Sequence, residues 1–564
     1  MRARIIFGHP HISAQIRSIA EIHKRQPTSE RCVVRAAILT MLMAVYVPWA
    51  FGQQLPLAGQ GSAGAVGPSI VTFGDLPSIS MSKAQNLLPP QPQTNVPVPG
   101  NIQSAPLQTE SQDSGDRAQA VSQPSQPHLR VKSAFRTYQE IDVAGATNGA
   151  YIFASDGNGT FTVYDMTGNI IKQTLKSDFW CEGNPALPIC SFGGFDGDQR
   201  VIYDPGAGRW IITALWLPAS STIATDVIAV SQSNDPRLGW NLYQFPACGS
   251  FYTLNGSDQP HTGFNRKWIV VNSSCGSQNG IPGTGLGVFS KSDLYSGKSL
   301  IVNTNWFEFV DPISGQTDNP TLTYTRAAGR EYLTHADVSA SGFATTTYSY
   351  LSGATNAPVL HSGVETVTTS FKASLNLPSV SAPGCNFCMG YFSAGWIHSS
   401  SVWAFHSGVP YILSTVVLGN PAVSNGTQVI NVATNIPTGQ AVALRIAPLT
   451  QNGSGAMASE IVMPIVPPSS VDEAVIVYDY SSSTYYPGVK AVLWNMDSNS
   501  VIYGKSLMQG VLTPSPGFNR RRWVDFIDAV APVPGRSKLV LAGSVAAPSS
   551  TDSEHATYWV QIQP

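Results

Sequence analysis

The fold is decided by a stretch that recurs along the chain, and its clearest copy reads Asp198-Gln199-Arg200-Val201-Ile202-Tyr203-Asp204. Related stretches begin with Asp258-Gln259-Pro260 and Asp318-Asn319-Pro320, so the spacing is 60 residues each time. An aromatic residue follows shortly after the acidic one in every copy, at Tyr203, Phe264 and Tyr324. A fixed period of this size indicates a repeat architecture.

Each copy continues into a turn with a basic residue and then into an apolar strand. The three continuations are Gly208-Arg209-Trp210-Ile211, Arg266-Lys267-Trp268-Ile269 and Gly329-Arg330-Glu331-Tyr332-Leu333. Two of the copies run on into a further apolar strand with a serine-rich end, so that one unit holds about four strands. One four-stranded sheet cannot bury both of its faces, and the radial stacking of such sheets in a β-propeller solves this problem.

The pattern of residues 151–175 is typical of antiparallel strands and hairpins. Apolar and polar residues alternate there around Asp-Gly, Asn-Gly and Thr-Gly-Asn turns. The same pattern persists to the C-terminus, and no stretch beyond residue 60 shows a sustained helical period. We therefore predict an all-β protein, a β-propeller of about seven four-stranded blades. Six or eight blades also fit the length, and a pair of β-sandwich domains is the alternative that the 60-residue recurrence disfavours.

The N-terminal 52 residues resemble an export signal. Seven basic residues precede an apolar run over 36–50, and Ala50-Phe51-Gly52 forms a small-x-small cleavage site. The apolar run of about 15 residues is shorter than the ~20 needed to cross a bilayer, although an uncleaved anchor is the alternative. We predict a signal peptide over 1–52 and a protein secreted or held at the cell surface, without a transmembrane segment in the mature chain.

The next segment, residues 53–134, is rich in Pro, Gln and Ser and poor in aromatic residues. Such a composition does not bury enough apolar surface to offset the entropy of ordering, so we predict a disordered linker. The propeller is then expected over 135–564. The chain has 32 Lys and Arg against 34 Asp and Glu, a net charge of −2, and this balance argues against a nucleic-acid partner. We expect a monomer.

Six cysteines follow the signal, an even number that predicts disulfides in an exported protein. They are Cys181, Cys190, Cys248, Cys275, Cys385 and Cys388. Pairing of neighbours is the simplest of the 15 arrangements that six cysteines allow. The Cys385-x-x-Cys388 spacing is also that of redox and zinc sites, but no βαβ pattern surrounds it, and a structural disulfide is favoured.

The chain resembles a group of exported bacterial proteins, mostly uncharacterised, that are predicted to be propellers. The resemblance is carried by 197–204 with Arg209-Trp210, by 229–236 with Trp240-x-x-Tyr243, and by the closing stretch 521–546. It covers most of 138–564 and is sharpest over 195–295. The group commonly has Asp-Pro where this chain has Asp198-Gln199. The resemblance implies the propeller fold and no particular activity.

Two turns are similar to the Asp-box of sialidase-type propellers. They are the stretches 233–240 and 155–161, the second being one residue short. In that motif the Asp accepts backbone N–H bonds within a hairpin turn, and the aromatic residue packs inside the blade. The resemblance therefore implies a structural role away from any catalytic centre.

Candidate catalytic residues do not form a recognisable set. A sialidase needs three arginines that bind a carboxylate, and Arg200, Arg209, Arg266 and Arg330 are available, but recurrence of three of them at one blade position favours a role in turns. A glycosidase needs two carboxylates about 5–10 Å apart. We interpret the glutamates after residue 135 as solvated surface charges, namely Glu140, Glu182, Glu308, Glu331, Glu365, Glu460, Glu473 and Glu554.

The densest group of carboxylates is Asp196, Asp198 and Asp204. Oxygen ligands in a Gly-rich loop are suited to Ca²⁺, so calcium is the one cofactor that the sequence offers. The stretch lacks the rest of a calcium loop, however, and turns capped by these side chains are the favoured interpretation.

Two functions fit these features. The first is a binding module on the outside of the cell for a glycan or a protein, because no catalytic set is evident. The alternative is an exported glycoside hydrolase of sialidase-like type, and we leave open whether the protein is an enzyme. Convergence of carboxylates and arginines on a central pocket would favour the enzyme.

Overall fold

A computed structural model of the protein describes the strands, most of the turns and two short helices. The described residues are 57–62, 66–78, 130–136, 143–156, 159–181, 190, 194–218, 225–245, 257–278, 281–299, 305–310, 319–324, 328–378, 380–383, 385–389, 399–446, 454–462, 473–509, 527–530, 540–546 and 556–563. The predicted signal peptide, 1–52, lies outside them.

Three strands precede the first blade, and each of them completes a later sheet. They are β1 (Leu57–Ser62), β2 (Val66–Thr72) and β3 (Arg130–Arg136). Blade 1 follows with β4 (Ala144–Thr147), β5 (Tyr151–Asp156), β6 (Thr160–Asp165) and β7 (Ile170–Leu175). A short helix, α1 (Lys176–Cys181), then leads towards blade 2.

Blades 2 and 3 each consist of four consecutive antiparallel strands. Blade 2 holds β8 (Gly194–Asp204), β9 (Arg209–Pro218), β10 (Thr225–Ser231) and β11 (Gly239–Phe245). Blade 3 holds β12 (Ser257–Phe264), β13 (Trp268–Gln278), β14 (Ile281–Ser290), helix α2 (Lys291–Tyr295) and β15 (Asn305–Val310).

Blades 4 and 5 are separated by a small two-stranded sheet. Blade 4 holds the short strands β16 (Asn319–Pro320) and β17 (Leu322–Thr323), then β18 (Glu331–Val338), β19 (Phe343–Ala354) and β20 (Ala357–Lys372). The small sheet is β21 (Val380–Ala382) with β22 (Cys385–Met389). Blade 5 holds β23 (Ser399–His406), β24 (Val409–Asn420), β25 (Gly426–Asn435) and β26 (Ala441–Ile446).

The last two blades complete the ring. Blade 6 holds β27 (Ser459–Val462), β28 (Glu473–Ser482), β29 (Tyr485–Asn495) and β30 (Ser500–Gln509). Blade 7 holds β31 (Asp528–Val530), β32 (Val540–Ala546) and β33 (Ala556–Gln563), and its fourth strand is β3 from the N-terminal side, in the order β3-β33-β32-β31.

The sheet order confirms the predicted all-β propeller. Four of the sheets have four strands, blade 2 becomes a five-stranded sheet by addition of β2, and a ten-stranded sheet joins blades 3 and 5 through parallel contacts of β17. The first strands of successive blades, β4, β8, β12, β16, β23, β27 and β31, contact one another in chain order, and β31 contacts β4. The described strands thus form seven blades around one axis.

The segment predicted to be a linker, 53–134, contributes strands to three blades, which corrects that prediction for 57–62, 66–78 and 130–134. Strand β2 pairs antiparallel with β11, and β1 pairs with β15, so both cover blade edges that otherwise expose unpaired backbone groups. The side chains of Val71, Phe73 and Leu76 are buried in the core that blades 1 and 2 share. A few apolar residues and a free sheet edge suffice to order this segment.

The sequence repeat marks the strands that line the axis. Both β8 and β12 carry a bulge, between Gly197 and Arg200 and between Asp258 and His261, respectively. A non-glycine residue with positive φ lies in each bulge, Asp198 at 51° and Gln259 at 48°. The structural equivalent of Asp198 is therefore Gln259, one position later than the 60-residue spacing indicates.

Large aromatic side chains fill the spaces between blades, as expected for a propeller core. Fully buried tryptophans are found in blades 1 to 3, 6 and 7: Trp180, Trp210, Trp216, Trp240, Trp268, Trp494 and Trp559. Across the described residues, none of the helices has the length and apolar character to cross a bilayer.

Candidate functional site

A cavity that opens to solvent lies where the inner strands meet, and its walls come from six of the seven blades. Its empty space amounts to about 430 Å³ when the open mouth is included. Its polar lining residues are Arg200 from β8, His261 and Thr262 from β12, Asn319 from β16, Ser400 and Ser401 from β23, Glu460 from β27 and Asp528 from β31. Convergence of polar side chains from so many strands makes this cavity the candidate functional site.

An ion pair between Arg200 and Asp528 forms one side of the cavity. Arg200 Nη1 lies 3.6 Å from Asp528 Oδ1, and both side chains are largely buried. The other carboxylate oxygen of Asp528 accepts the backbone N–H of Gly145 in blade 1, at 2.7 Å. Arg200 Nη2 lies 3.5 Å from Nδ1 of His261, which accepts because the guanidinium only donates. Arg200 thus connects blades 2, 3 and 7.

Glu460 faces the same cavity from blade 6 and behaves differently from Asp528. The hydroxyl of Ser400 donates a hydrogen bond to Glu460 Oε1. Burial raises the pKa of Glu460 to about 8, with Arg200 and Ser400 opposing and Asp528 reinforcing that shift. Glu460 is therefore protonated at neutral pH and offers the cavity an O–H donor. Our interpretation of Glu460 and of Glu331 as solvated surface charges is wrong, because only 8% of Glu460 is exposed and Glu331 is fully buried.

The two carboxyl groups of the cavity ionise in different pH ranges. Burial raises the pKa of Asp528 to about 6, while the charge of Arg200 and the N–H of Gly145 lower it. At pH 7, Asp528 is thus mainly ionised and Glu460 mainly protonated. The positive charge of Arg200 balances the negative charge of Asp528. The cavity therefore presents a mixture of donors and acceptors, and Arg200, Asp528 and Glu460 together contribute little net charge.

Hydroxyl groups connect the blades around the cavity. Ser155 Oγ donates to Gln199 Oε1 between blades 1 and 2, at 3.2 Å. The hydroxyls of Thr415 and Ser459 lie 3.0 Å apart between blades 5 and 6. These contacts satisfy buried polar groups and link neighbouring blades.

The arginines that a sialidase would require do not converge. Of Arg200, Arg209, Arg266 and Arg330, the cavity includes Arg200 alone. Arg209 donates to the carbonyl of Gly208 in the turn between β8 and β9. The guanidinium of Arg330 lies 4.3 Å above the ring of Tyr350 in blade 4. The recurring arginines thus have turn and stacking contacts, as their position in the repeat predicts.

The Asp-box-like turn at 233–240 has the predicted structural geometry. Asp235 Oδ1 accepts the backbone N–H of Arg237 at 3.0 Å, and Trp240 is fully buried with its Nε1 donating to the carbonyl of Pro236. Trp210 Nε1 donates to the carbonyl of Asn234. In the second turn, at 155–161, the side chain of Asp156 lies outside the described residues.

Two of the carboxylates proposed for calcium have separate partners, and the calcium site stays a prediction. Asp198 and Asp204 lie six residues apart on β8, about 20 Å at the rise of a strand. Asp198 Oδ2 accepts the N–H of Gln259, whereas Asp204 Oδ2 lies 2.6 Å from Lys291 Nζ. The side chain of Asp196 lies outside the described residues. Within the described part of the chain, no group of three or more His, Cys, Asp or Glu side chains is placed to hold a metal ion.

One predicted disulfide, between two neighbouring cysteines, is present, and a third cysteine is disulfide-bonded too. Cys181 at the end of α1 is bonded to Cys190, with 5.3 Å between the Cα atoms. Cys275 on β13 is disulfide-bonded as well, while Cys248 lies outside the described residues. Cys385 and Cys388 lie on β22, and their side chains are not among those described.

The sequence did not mark the residues that line the cavity. Glu460, Asp528 and Ser400 belong to later blades, in which the repeat is blurred. His261 occupies the position in β12 that Arg200 occupies in β8, as the two bulges show. Alignment of the copies by their bulges instead of their aspartates would have brought Arg200 and His261 to one position.

No protein-family model matches the sequence, and no curated protein matches it. Among solved structures, the chain is similar to BamB from Moraxella catarrhalis at 11% identity and a TM-score of 0.32, covering 77% of this chain and 99% of that one. The Hadza microbial sialidase Hz136 gives 11% identity and a TM-score of 0.37, covering 65% and 67%. The β-propeller domain of Cps50 (Swd1) from Myceliophteria thermophila has 7% identity and a TM-score of 0.35, and the match covers 76% of this chain and 99% of that one.

Similarity at these identities and TM-scores carries no argument about a ligand or a reaction. The chain is a β-propeller, as its own strand order establishes. The resemblance to exported bacterial proteins stays a prediction.

Proposed function

We propose that the protein is exported and that its central cavity binds one sugar residue of a glycan. The observation that carries this proposal is the set of donors and acceptors that six blades place around one cavity of about 430 Å³. A sugar presents hydroxyl groups in many directions, each of which both donates and accepts. Such a ligand matches a ring of short polar side chains better than an apolar molecule does.

The charge of the cavity supports a neutral ligand. Arg200 is already paired with Asp528, and Glu460 carries its proton at neutral pH. A strongly charged ligand would have to displace this ion pair and leave a buried partner without its counter-charge, which is costly. The disulfide between Cys181 and Cys190 is consistent with export, because disulfides persist in oxidising compartments.

A glycan array followed by calorimetry on the best ligand tests the proposal. Glu460→Gln keeps a donor in the cavity, whereas Ser400→Ala removes one hydroxyl that lines it. We expect Ser400→Ala to weaken binding by about tenfold, the effect of one hydrogen bond, and Glu460→Gln to weaken it less. Glu365→Gln, on the outer strand of blade 4, is the matched control and should bind as the wild type does. Unchanged affinity in Ser400→Ala with a native unfolding curve would place the ligand elsewhere.

Glycoside hydrolysis is the second candidate, favoured by the two carboxyl groups of the cavity. Their environments separate their pKa values, about 6 for Asp528 and about 8 for Glu460, and an acid and a base with separated pKa values are what glycosidases use. Glu460 would act as the general acid. Asp528, however, has one oxygen beside Arg200 and the other on the N–H of Gly145, so it is poorly placed to attack. Binding is therefore the better supported function.

Turnover of chromogenic glycosides separates the two candidates. An enzyme should lose its turnover by about 10²–10⁴-fold in Glu460→Gln, the usual contribution of a general acid, and keep most of its affinity. If no glycoside whose sugar binds the cavity is turned over, hydrolysis is excluded for those substrates and binding is the only one of the two functions that remains.

A further inference from the structure

Three cations lie on adjoining segments of two neighbouring blades, outside the set of residues that line the central cavity. Arg266 and Lys267 form the turn between β12 and β13, and Arg330 immediately precedes β18. The guanidinium of Arg266 lies against Gly329, where a Cβ would come within 3.3 Å of Nη2. The absence of a side chain at Gly329 therefore allows Arg266 to approach the segment that carries Arg330.

Aromatic rings hold two of these cations in place. The guanidinium of Arg330 lies 4.3 Å from the ring centroid of Tyr350, and the imidazole of His361 is stacked on Tyr350 with centroids 4.5 Å apart. Lys267 Nζ lies 5.0 Å from the ring of Trp268 and donates to the carbonyl of Gly353. Stacked guanidinium groups lose little further entropy when they bind a ligand.

Within the described residues, no carboxylate lies at ion-pair distance from Arg266, Lys267 or Arg330. The equivalent turn of blade 2 differs, because Asp204 follows Tyr203 there and pairs with Lys291. In blade 3 the corresponding residue is Asn265. Its Oδ1 caps the turn by accepting the N–H groups of Lys267 and Trp268, as Asp204 Oδ1 accepts from the turn of blade 2. Asn265 thus caps the turn of blade 3 as Asp204 caps that of blade 2, but the amide of Asn265 carries no negative charge beside the three cations.

We propose that Arg266, Lys267 and Arg330 bind one anionic group, a carboxylate or a sulfate, of an acidic polysaccharide. Like charges on adjoining segments repel one another, and an anion bound between them removes that repulsion. Two guanidinium groups provide the paired donors that carboxylates and sulfates accept. This site is independent of the central cavity.

The number and arrangement of the cations argue against other polyanions. Nucleic-acid binding requires a long basic stripe that neutralises many phosphates, whereas this chain has a net charge of −2. Recognition of acidic lipids commonly uses clusters of four to eight basic residues. Three cations fit a single anionic group on a sugar chain.

Binding to immobilised dextran sulfate and polygalacturonate, with neutral dextran as the third surface, tests the proposal on the full propeller. We expect binding to one or both acidic polymers, no binding to dextran, and weakening as salt is added. The two acidic polymers distinguish a sulfate ligand from a carboxylate ligand. Arg266→Gln and Arg330→Gln should each lower the affinity about tenfold, and Arg330→Lys, which keeps the charge, should lower it less.

Lys298→Gln is the matched control, because it removes one exposed positive charge that is paired with Asp293. It should bind as the wild type does. An equal loss in Lys298→Gln and Arg266→Gln, or equally tight binding to a single-stranded DNA oligomer, would overturn the proposal. Glu460→Gln and Ser400→Ala should leave this binding unchanged, so that failure here and failure at the central cavity are distinguishable.

Discussion

Asp479, on β28 in the interior of blade 6, is a buried carboxyl group that serves the fold alone. Its Oδ1 accepts the backbone N–H groups of Met457 and Ala458, at 2.6 Å each. Burial nevertheless raises its pKa from 3.8 to about 7, with these hydrogen bonds opposing the shift. The folded protein therefore binds more protons than the unfolded chain between about pH 4 and 7. Asp479 makes the protein less stable as the pH rises through this range.

Asp479→Asn should flatten the dependence of stability on pH. The side-chain oxygen of Asn still accepts from the two N–H groups but does not ionise. We expect the free energy of unfolding of the variant to change less between pH 4 and 8 than that of the wild type, by on the order of 4 kcal/mol. Urea unfolding at a series of pH values measures this difference. An identical pH profile for Asp479→Asn and the wild type would contradict the prediction.

Glu460 should make glycan binding depend on pH. Its O–H donor is lost as the pH rises through about 8, and the ionised form adds a second negative charge to the cavity. We expect the association constant to fall above pH 8 in the wild type. Glu460→Gln, whose amide always donates, should show no such fall, whereas Glu365→Gln should behave as the wild type. Calorimetry from pH 6 to 9 measures the profile, and a wild-type profile flat to pH 9 would exclude this role of Glu460.

At the scale of elements, the segment that contains β2 is an integral part of blade 2. Phe73 is fully buried, with its ring 5.4 Å from that of Phe153 and 6.0 Å from that of Phe179. Lys172 Nζ fixes the end of the segment by donating to the carbonyls of Gly74 and Leu76. The fifth strand therefore has both backbone and side-chain contacts to the propeller.

Phe73→Ala should destabilise the protein by about 3–5 kcal/mol, the usual cost of emptying the site of a buried phenylalanine. Ile70→Ser is the matched control, because Ile70 lies on the same strand but is 56% exposed. We expect its effect to stay within about 0.5 kcal/mol. Chemical unfolding of both variants measures these differences, and equal stability of Phe73→Ala and the wild type would show that the segment does not support the fold.

At the scale of the whole molecule, the ring is closed by strands from both ends of the propeller. Strand β3 pairs with β33 over the whole length of β3, from Arg130 opposite Gln563 to Arg136 opposite Tyr558. Gly145 in blade 1 approaches so closely that a Cβ there would overlap the ring of Trp559. Blades 1 and 7 are therefore held by both a shared sheet and direct packing.

Deletion of Arg130–Arg136 should open this closure. Strand β33 then becomes an edge with unpaired backbone groups, which promotes aggregation. We expect a lower melting temperature and aggregates in size-exclusion chromatography. Removal of residues 1–53, which hold the predicted signal peptide and lie outside the described residues, is the control and should leave the melting temperature unchanged. A β3 deletion that melts as the control does would show that blade 7 is stable with three strands.

Local features of the fold follow from the sequence. Alternation of apolar residues, turn signals and a 60-residue period predict antiparallel strands and a propeller, because strand pairing within a hairpin depends on neighbouring residues. The repeat also located β8 and β12, and the pairing of neighbouring cysteines, the simplest of the arrangements left open, includes the bond between Cys181 and Cys190. Composition predicted disorder for the segment that contains β2, and that prediction is wrong because β11 offers a free edge with which β2 pairs.

The tertiary structure alone decided the candidate site. Gly145 and Asp528 are 383 positions apart and meet only because the last blade packs against the first. Glu460 has no distinguishing neighbours in the sequence, and its proton at neutral pH results from burial beside the axis. Which side chains face the axis depends on how seven blades close into a ring, and burial then decides which of them are charged. Neither the set of side chains that face the axis nor their charges can be read from the sequence of a single repeat.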